Sequence, residues 1–373
     1  VLASNTYRLR AGEAKREHVE LDERNLRRMA VGCSILGAGG GGDTSVGLLA
    51  ALQAIQDFGP VTVVDLDDLA DDALVIPGGG IGAPLVSIEK LDRGDEILRL
   101  LPVVERHHGK PVSAIMAAEI GGGNGLLPVV WCARARLPLA DADGMGRAFP
   151  EVPQMTMELA GISPSPAVMT DERGNVVLIQ AADGQWLERL ERVLSIEFGG
   201  QALSTEYHMT ASQARTGTVR GTVSLAIKIG RAVLEAPEDA VTSLIETINA
   251  TALIEGKITD VDQRVADGFV KGTVQIDGVG RAAGRSLRLD IQNENLVATD
   301  NGRVIASVPD IITVVDTHTG RAIHTERLRY GQRVTVIAFP CDPVWRTAAG
   351  LALAGPQAFG YDLAFVAVEA LHG

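Results

Sequence analysis

Three carboxylates stand where the chain is best placed to do chemistry. Glu119 closes the apolar run PVSAIMAAEI, directly before the GGGNG of 121–125. An ionisable group at such a position is costly to bury unless it is paired, and a perturbed acid at a strand end is a candidate for proton transfer. Asp141 and Asp143 lie in LADADGMGRAFPE. The two-residue period of a strand puts both on one face, as a pair suited to proton transfer or to a hard divalent cation. Arg147 follows, with the planar fork that grips a carboxylate through two hydrogen bonds; an ion pair with Glu151 is the competing reading.

Around these acids the sequence places glycine. GAGGGGD at 37–43, GGGIGAP at 78–84 and GGGNG at 121–125 each follow an apolar run readable as a strand. In an open parallel sheet the loops after the strands share one edge, and ligands bind there. Gly39, Gly40, Gly41, Gly80 and Asn124 are therefore candidate substrate contacts, because glycine lets backbone N–H groups approach a ligand closely. Tight turns and close helix packing are the plainer explanation of the same glycines. Asp43 is either a further contact or the N-cap of the helix after it.

Gly37, Gly39 and Gly42 also fit G-x-G-x-x-G, with Asp65 ending the next strand, which is the outline of a dinucleotide site. The loop is so rich in small residues that the match is easily fortuitous, so nucleotide binding is the lesser reading. Cys33, just before the first loop, is a nucleophile or a buried apolar thiol. His208 is a base or ligand between the halves of the chain, and His107 and His108 suit a helix C-terminus.

The elements that must position these residues alternate. Helices are expected at 23–32, 45–57, 96–108 and 125–136. Strands are expected at 34–36, 61–66, 73–77, 111–120 and 138–143. That order predicts an α/β N-terminal domain, residues 1–168, with a mainly parallel sheet covered on both faces. Residues 169–373 read as an α+β domain whose end, from Glu255 onward, is almost wholly β.

Acidic residues outnumber basic ones 47 to 34, for a formal charge of −13. Nucleic acid and anionic membranes are therefore poor partners, and a small molecule is the expected one. The three cysteines are scattered and fit a reducing, cytoplasmic setting. The longest uncharged run, 74–88, is too short to span a bilayer, and the first thirty residues carry no leader-like apolar stretch.

Several of these segments resemble one bacterial family. LGAGGGGD (36–43), GAPLVSIEK (82–90), EIGGGNGLLP (119–128) and DADGMGRAFPE (141–151) are similar to the N-terminal signature of the S-methyl thiohydantoin desulfurase family. RTGTV (215–219), QNENLVA (292–298), PDIITVVDTHTG (309–320) and GPQAFGYD (355–362) resemble its second half. The resemblance implies two separately recognised domains and a five-membered cyclic imide or amide as substrate. Desulfurase members hydrolyse an S-methylated thiohydantoin to a hydantoin and methanethiol.

Such a hydrolysis needs an activated water and a stabilised tetrahedral intermediate. Glu119 or the Asp141/Asp143 pair would act as base or metal ligands, glycine-loop N–H groups would hold the ring, and Arg147 an acidic substituent. A divalent metal stays open as a cofactor. A nucleotide-dependent enzyme, and a non-catalytic subunit of a hydantoinase-like complex, are the alternatives; a homo-oligomer is equally compatible.

Overall fold

The computed structural model describes residues 18–82, 86, 90, 92–266 and 269–372. Residues 1–17, and most of GAPLVSIEK beyond Gly82, lie outside the described residues. In chain order, numbering the longer helices only, the first half contains β1 (Val19–Leu21), α1 (Glu23–Leu36), α2 (Thr44–Phe58), β2 (Val61–Val64) and β3 (Leu74–Gly82). There follow α3 (Ile97–His108), β4 (Val112–Ala117), α4 (Leu127–Ala135), β5 (Leu139–Asp143), β6 (Ala167–Thr170) and β7 (Val176–Ile179). The second half has α5 (Gly184–Glu197), β8 (Gln201–Thr205), β9 (Met209–Thr210), β10 (Val219–Arg220), α6 (Thr222–Leu234) and α7 (Ala240–Ile248). It ends in β11 (Thr251–Ala266), β12 (Phe269–Gly278), β13 (Ser286–Gln292), β14 (Glu294–Asp300), β15 (Arg303–Ser307), β16 (Ile311–Asp316) and β17 (Arg333–Phe339).

The main sheet is mixed, which corrects the expectation of a mainly parallel one. Only β2, β5, β4 and β3 run parallel to their neighbours in that order. Antiparallel strands flank them: β1 on β2, and β8, then β6 and β7, beyond β3. β9 and β10, also from the second half, pair antiparallel with β3 and β5.

Both faces of the parallel centre are buried, as strands without a polar alternation require. Val63, Leu74, Ile76, Ile115 and Leu139 face one core with α1, α4 and α6. Their neighbours Val64, Val75, Ala114, Met116 and Ala140 face another, closed by Tyr207 and Trp345. The second sheet, in the order β15-β14-β13-β12-β11-β17-β16, is wholly antiparallel and has its own core.

Two further expectations fail for local reasons. The run 34–36 is not a strand: α1, capped where Asp22 accepts the Asn25 N–H at 2.8 Å, continues through it to Leu36. Its last turns are buried because α1 crosses α6 at backbone distance. A Cβ on Gly32 would lie 1.9 Å from the Ala226 carbonyl oxygen, and one on Gly230 would lie 1.8 Å from that of Arg28. The first glycine loop thus joins two helices, which removes the strand–loop–helix context that a dinucleotide fingerprint needs. The glycines at 78–80, expected as a loop, are strand residues inside β3.

Candidate functional site

The cavity of interest opens at the C-terminal ends of the parallel strands, where folds of this kind bind ligands. It has a volume of about 150 Å³. All three glycine segments reach it, through Gly41 and Gly42, Gly79 and Gly80, and Asn124. Its acidic lining includes Glu119, Glu206 and Glu294. The volume falls below the ~300–1,000 Å³ of sites for larger ligands. It suits a single small ring and not a dinucleotide.

The first and third glycine segments hold each other. The Gly123 N–H donates to the Gly42 carbonyl at 2.9 Å, and a Cβ on Gly41 would meet the Gly121 oxygen at 2.3 Å. Asn124 ties in the second segment. Its Oδ1 accepts the Gly80 N–H at 2.9 Å, while its Nδ2 donates to Glu119 Oε1 at 2.6 Å. The Gly80 N–H is therefore already engaged, so at this position the glycine serves a close approach and not donation to a ligand.

Glu119 is 7% exposed. Burial pushes its carboxyl up to about 8, nearby Asp143 adds to that, and the Asn124 amide, the Phe149 N–H and Arg147 oppose it. Glu294, 1% exposed, opens β14 and reaches the cavity across the first glycine loop. Its fit there is tight: a Cβ on Gly40 would lie 2.0 Å from its Oε1. Burial, and then repulsion from Glu119, hold it well above the usual carboxylate range, against the pull of Arg147. Glu206, after β8, is also raised by burial; Glu191 behind it is raised by burial and by Glu206. Arg192 lines the same cavity and donates to Glu188 at 2.6 Å. Glu206, Glu294 and Arg192 escaped the sequence reading.

The other expected site residues have different duties. Asp141 and Asp143 do not act as a pair. Asp141 accepts the Ser224 N–H and hydroxyl at 3.0 and 2.6 Å, anchoring the start of α6. Asp143 is fully buried and accepts backbone N–H groups of Ile120, Met145 and Gly146 at 2.8–3.0 Å, pinning the Glu119 segment to the next turn. Neither lines the cavity. Among the described residues no three His, Cys, Asp or Glu side chains are grouped to hold a metal ion.

Arg147 is fully buried as well, behind the cavity wall. Its Nη1 donates to the Pro309 and Asp310 carbonyls at 2.5 and 2.9 Å, its Nε donates to the Ala148 carbonyl at 2.9 Å, and its guanidinium stacks on Phe149. It makes neither a substrate clamp nor a pair with Glu151. Burial lowers its proton affinity, and nearby Glu294, Cys341, Asp310 and Glu119 oppose that.

The remaining candidates are also accounted for. Gly39 serves packing: its carbonyl accepts the Thr325 N–H at 2.9 Å. Asp43 caps α2 through the Ser45 N–H at 2.7 Å and pairs with Arg327, facing away from the cavity. Cys33 is fully buried with its thiol pushed up by burial, which suits an apolar thiol and not a nucleophile. His208 is enclosed by His108 and Thr205 at 3.1 and 3.0 Å, and burial lowers it to about 3, so it stays neutral.

The raised acids have a consequence for stability. Unfolded, Glu119 ionises near its ordinary 4.5; folded, it keeps its proton to about 8. Its contribution is present at low pH and is lost as pH rises through that window. Glu119 is expected to contribute about 3 kcal/mol to the fall in the free energy of unfolding between pH 5 and pH 8, on top of what the raised Asp143, Glu206 and Glu294 contribute. Glu119→Gln should flatten that decline, and an equal slope in the variant would contradict the assignment.

The chain is thus a mixed-sheet α/β protein with buried carboxylic acids gathered at the ends of its parallel strands. The chain belongs to the S-Me-THD-like family: residues 24–181 match its N-terminal domain and residues 182–368 its C-terminal domain. A crystal structure of a protein from Chromobacterium violaceum is similar, with a TM-score of 0.78 and 23% identity. The match covers 94% of this chain and 100% of that one, and it supports the fold alone. Among curated proteins, none matches the chain. Among the described residues no helix is long and apolar enough to cross a membrane.

Proposed function

We propose that the chain hydrolyses a small cyclic imide or amide of the hydantoin or S-methyl thiohydantoin type, with Glu119 as the proton-transfer residue. The observation that carries this reading is a carboxyl group held un-ionised at neutral pH in a cavity the size of one small ring. A protonated carboxyl presents a donor and an acceptor side by side. The N–C=O or N=C–S edge of such a ring offers the complement. A charged carboxylate would present acceptors only.

In the proposed reaction, water adds to the ring carbon that bears the methylthio group. Glu119 donates its proton to the adjacent ring nitrogen as negative charge develops there. Glu206, raised to about 7 by burial and lining the cavity, takes in its ionised form the proton that the attacking water releases. Collapse of the tetrahedral intermediate breaks the C–S bond, and the sulfur leaves as methanethiol with that proton. Substrate and water thus give hydantoin and thiol, and Glu119 regains its proton as the ring carbonyl forms. Arg192, and not Arg147, is the cation available to an acidic ring substituent.

The test is incubation of the purified chain with S-methyl thiohydantoins carrying neutral or acidic side chains, and with the corresponding hydantoins. Methanethiol released in step with hydantoin supports the reading. No turnover and no binding of any of these rings would end it.

A further inference from the structure

A second cavity lies on the far side of the first glycine loop and has no part in the chemistry above. Its volume is about 440 Å³. Gly41 and Gly42 line the first cavity, whereas Asp43, Thr44 and Ser45 line this one. It is enclosed by α1, the first two turns of α2, the end of α6, and the chain between β16 and β17, which carries Arg321, His324, Arg327 and Gln332.

We infer that this second cavity binds a small organic anion, a carboxylate on a short aliphatic body. The anionic end is specified by the rim. Arg27, Arg321 and Arg327 line the cavity, and among the described residues its sole lining carboxylate is Asp43. Arg327 neutralises Asp43, which also takes the Ser45 N–H and hydroxyl, at 2.7 and 2.6 Å. Arg27 pairs along its own helix with Glu23 at 2.8 Å. Arg321 meets no carboxylate among the described residues lining the cavity. Such a cationic rim is out of character for a chain of net charge −13, whose general field repels anions.

An independent observation comes from the wall. His324 is 5% exposed, and its Nε2 lies 3.0 Å from the Ser34 hydroxyl. Its other ring nitrogen, Nδ1, is buried without a hydrogen-bond partner. A buried polar atom left unmatched costs free energy that a bound partner would recover. The body of the ligand is specified by the floor, where Ala30, Val31, Leu48 and Leu234 are apolar. A hydrated inorganic ion would leave that surface wet, whereas a short alkyl chain would cover it.

The experiment is calorimetric titration of the full chain with acetate, butyrate and hexanoate, with inorganic phosphate as a headgroup-only control. Hexanoate is expected to bind saturably, and affinity to rise about fourfold for each methylene that reaches the floor. Arg321→Gln should weaken hexanoate about tenfold, and Leu48→Ser should erase the chain-length dependence while leaving acetate unchanged. Thermal melts of both variants establish that they remain folded. The inference is overturned by absence of saturable binding, by phosphate binding as tightly as hexanoate, or by indifference to Arg321→Gln.

Discussion

Glu119→Gln is expected to lower methanethiol release from an S-methyl thiohydantoin by about 100- to 10,000-fold, the range that a proton-transfer residue contributes. Glutamine keeps the shape and can still accept from Asn124, but it has no proton to transfer. Because the group lies in a neutral, buried state, the fold should persist, and at pH above about 8 the variant should be the more stable of the two. The pH profile separates chemistry from structure. With the acid form active, wild-type turnover falls tenfold for each unit above about 8. The residual activity of the variant should lack that limb. Near-normal turnover, or an unchanged descending limb, would remove Glu119 from the mechanism.

The second large effect is on stability. Arg147→Met removes a fully buried cation that donates to the Ala148, Pro309 and Asp310 carbonyls and leaves those buried acceptors without their donor. At about 1–3 kcal/mol for each unmatched buried acceptor, a loss of about 3–5 kcal/mol is expected, read as the free energy of unfolding in urea. Lysine should not rescue it, since a point charge cannot reproduce the fork that spans these carbonyls. A variant of native stability with only a raised KM would instead restore the substrate-clamp role.

The parts of this site legible in the sequence are those with local signals. Glu119 is legible because a charge at the end of an apolar strand is anomalous on its own terms. The glycine segments are legible because runs of that composition permit backbones to touch, and two of them do so here. The rest depends on partners remote in sequence. Glu206 reaches the cavity because β8 lies antiparallel on β3, with Gly79 opposite Ser204, a pairing that an expectation of parallel strands excludes. Glu294 follows Asn293, whose φ of 56° turns β13 into β14. The local pattern shows only a polar turn before an apolar strand. Arg192 reads as the outward half of an i,i+4 pair with Glu188, yet it faces the cavity.

The misread segment at 34–36 has the same cause on a smaller scale. Ser34, Ile35 and Leu36 fit either period, and what decides in favour of helix is the crossing of α1 and α6 at Gly32 and Gly230, which no window of sequence contains. Asp141 and Asp143 are unusual residues for a strand end, and their carboxylates accept backbone N–H groups and, at Asp141, the Ser224 hydroxyl, a use that spacing alone cannot distinguish from catalysis.

The strand pairing sets a rule for how this polypeptide can be divided. A fragment ending at 181 would carry β3 without β8 and β9, and β5 without β10. Its central strand would then present a bare row of amides and carbonyls, a template for sticking to other copies. The two matched segments are thus not interchangeable cassettes. Truncation or recombination near that junction would separate each half from the neighbour that closes its sheet.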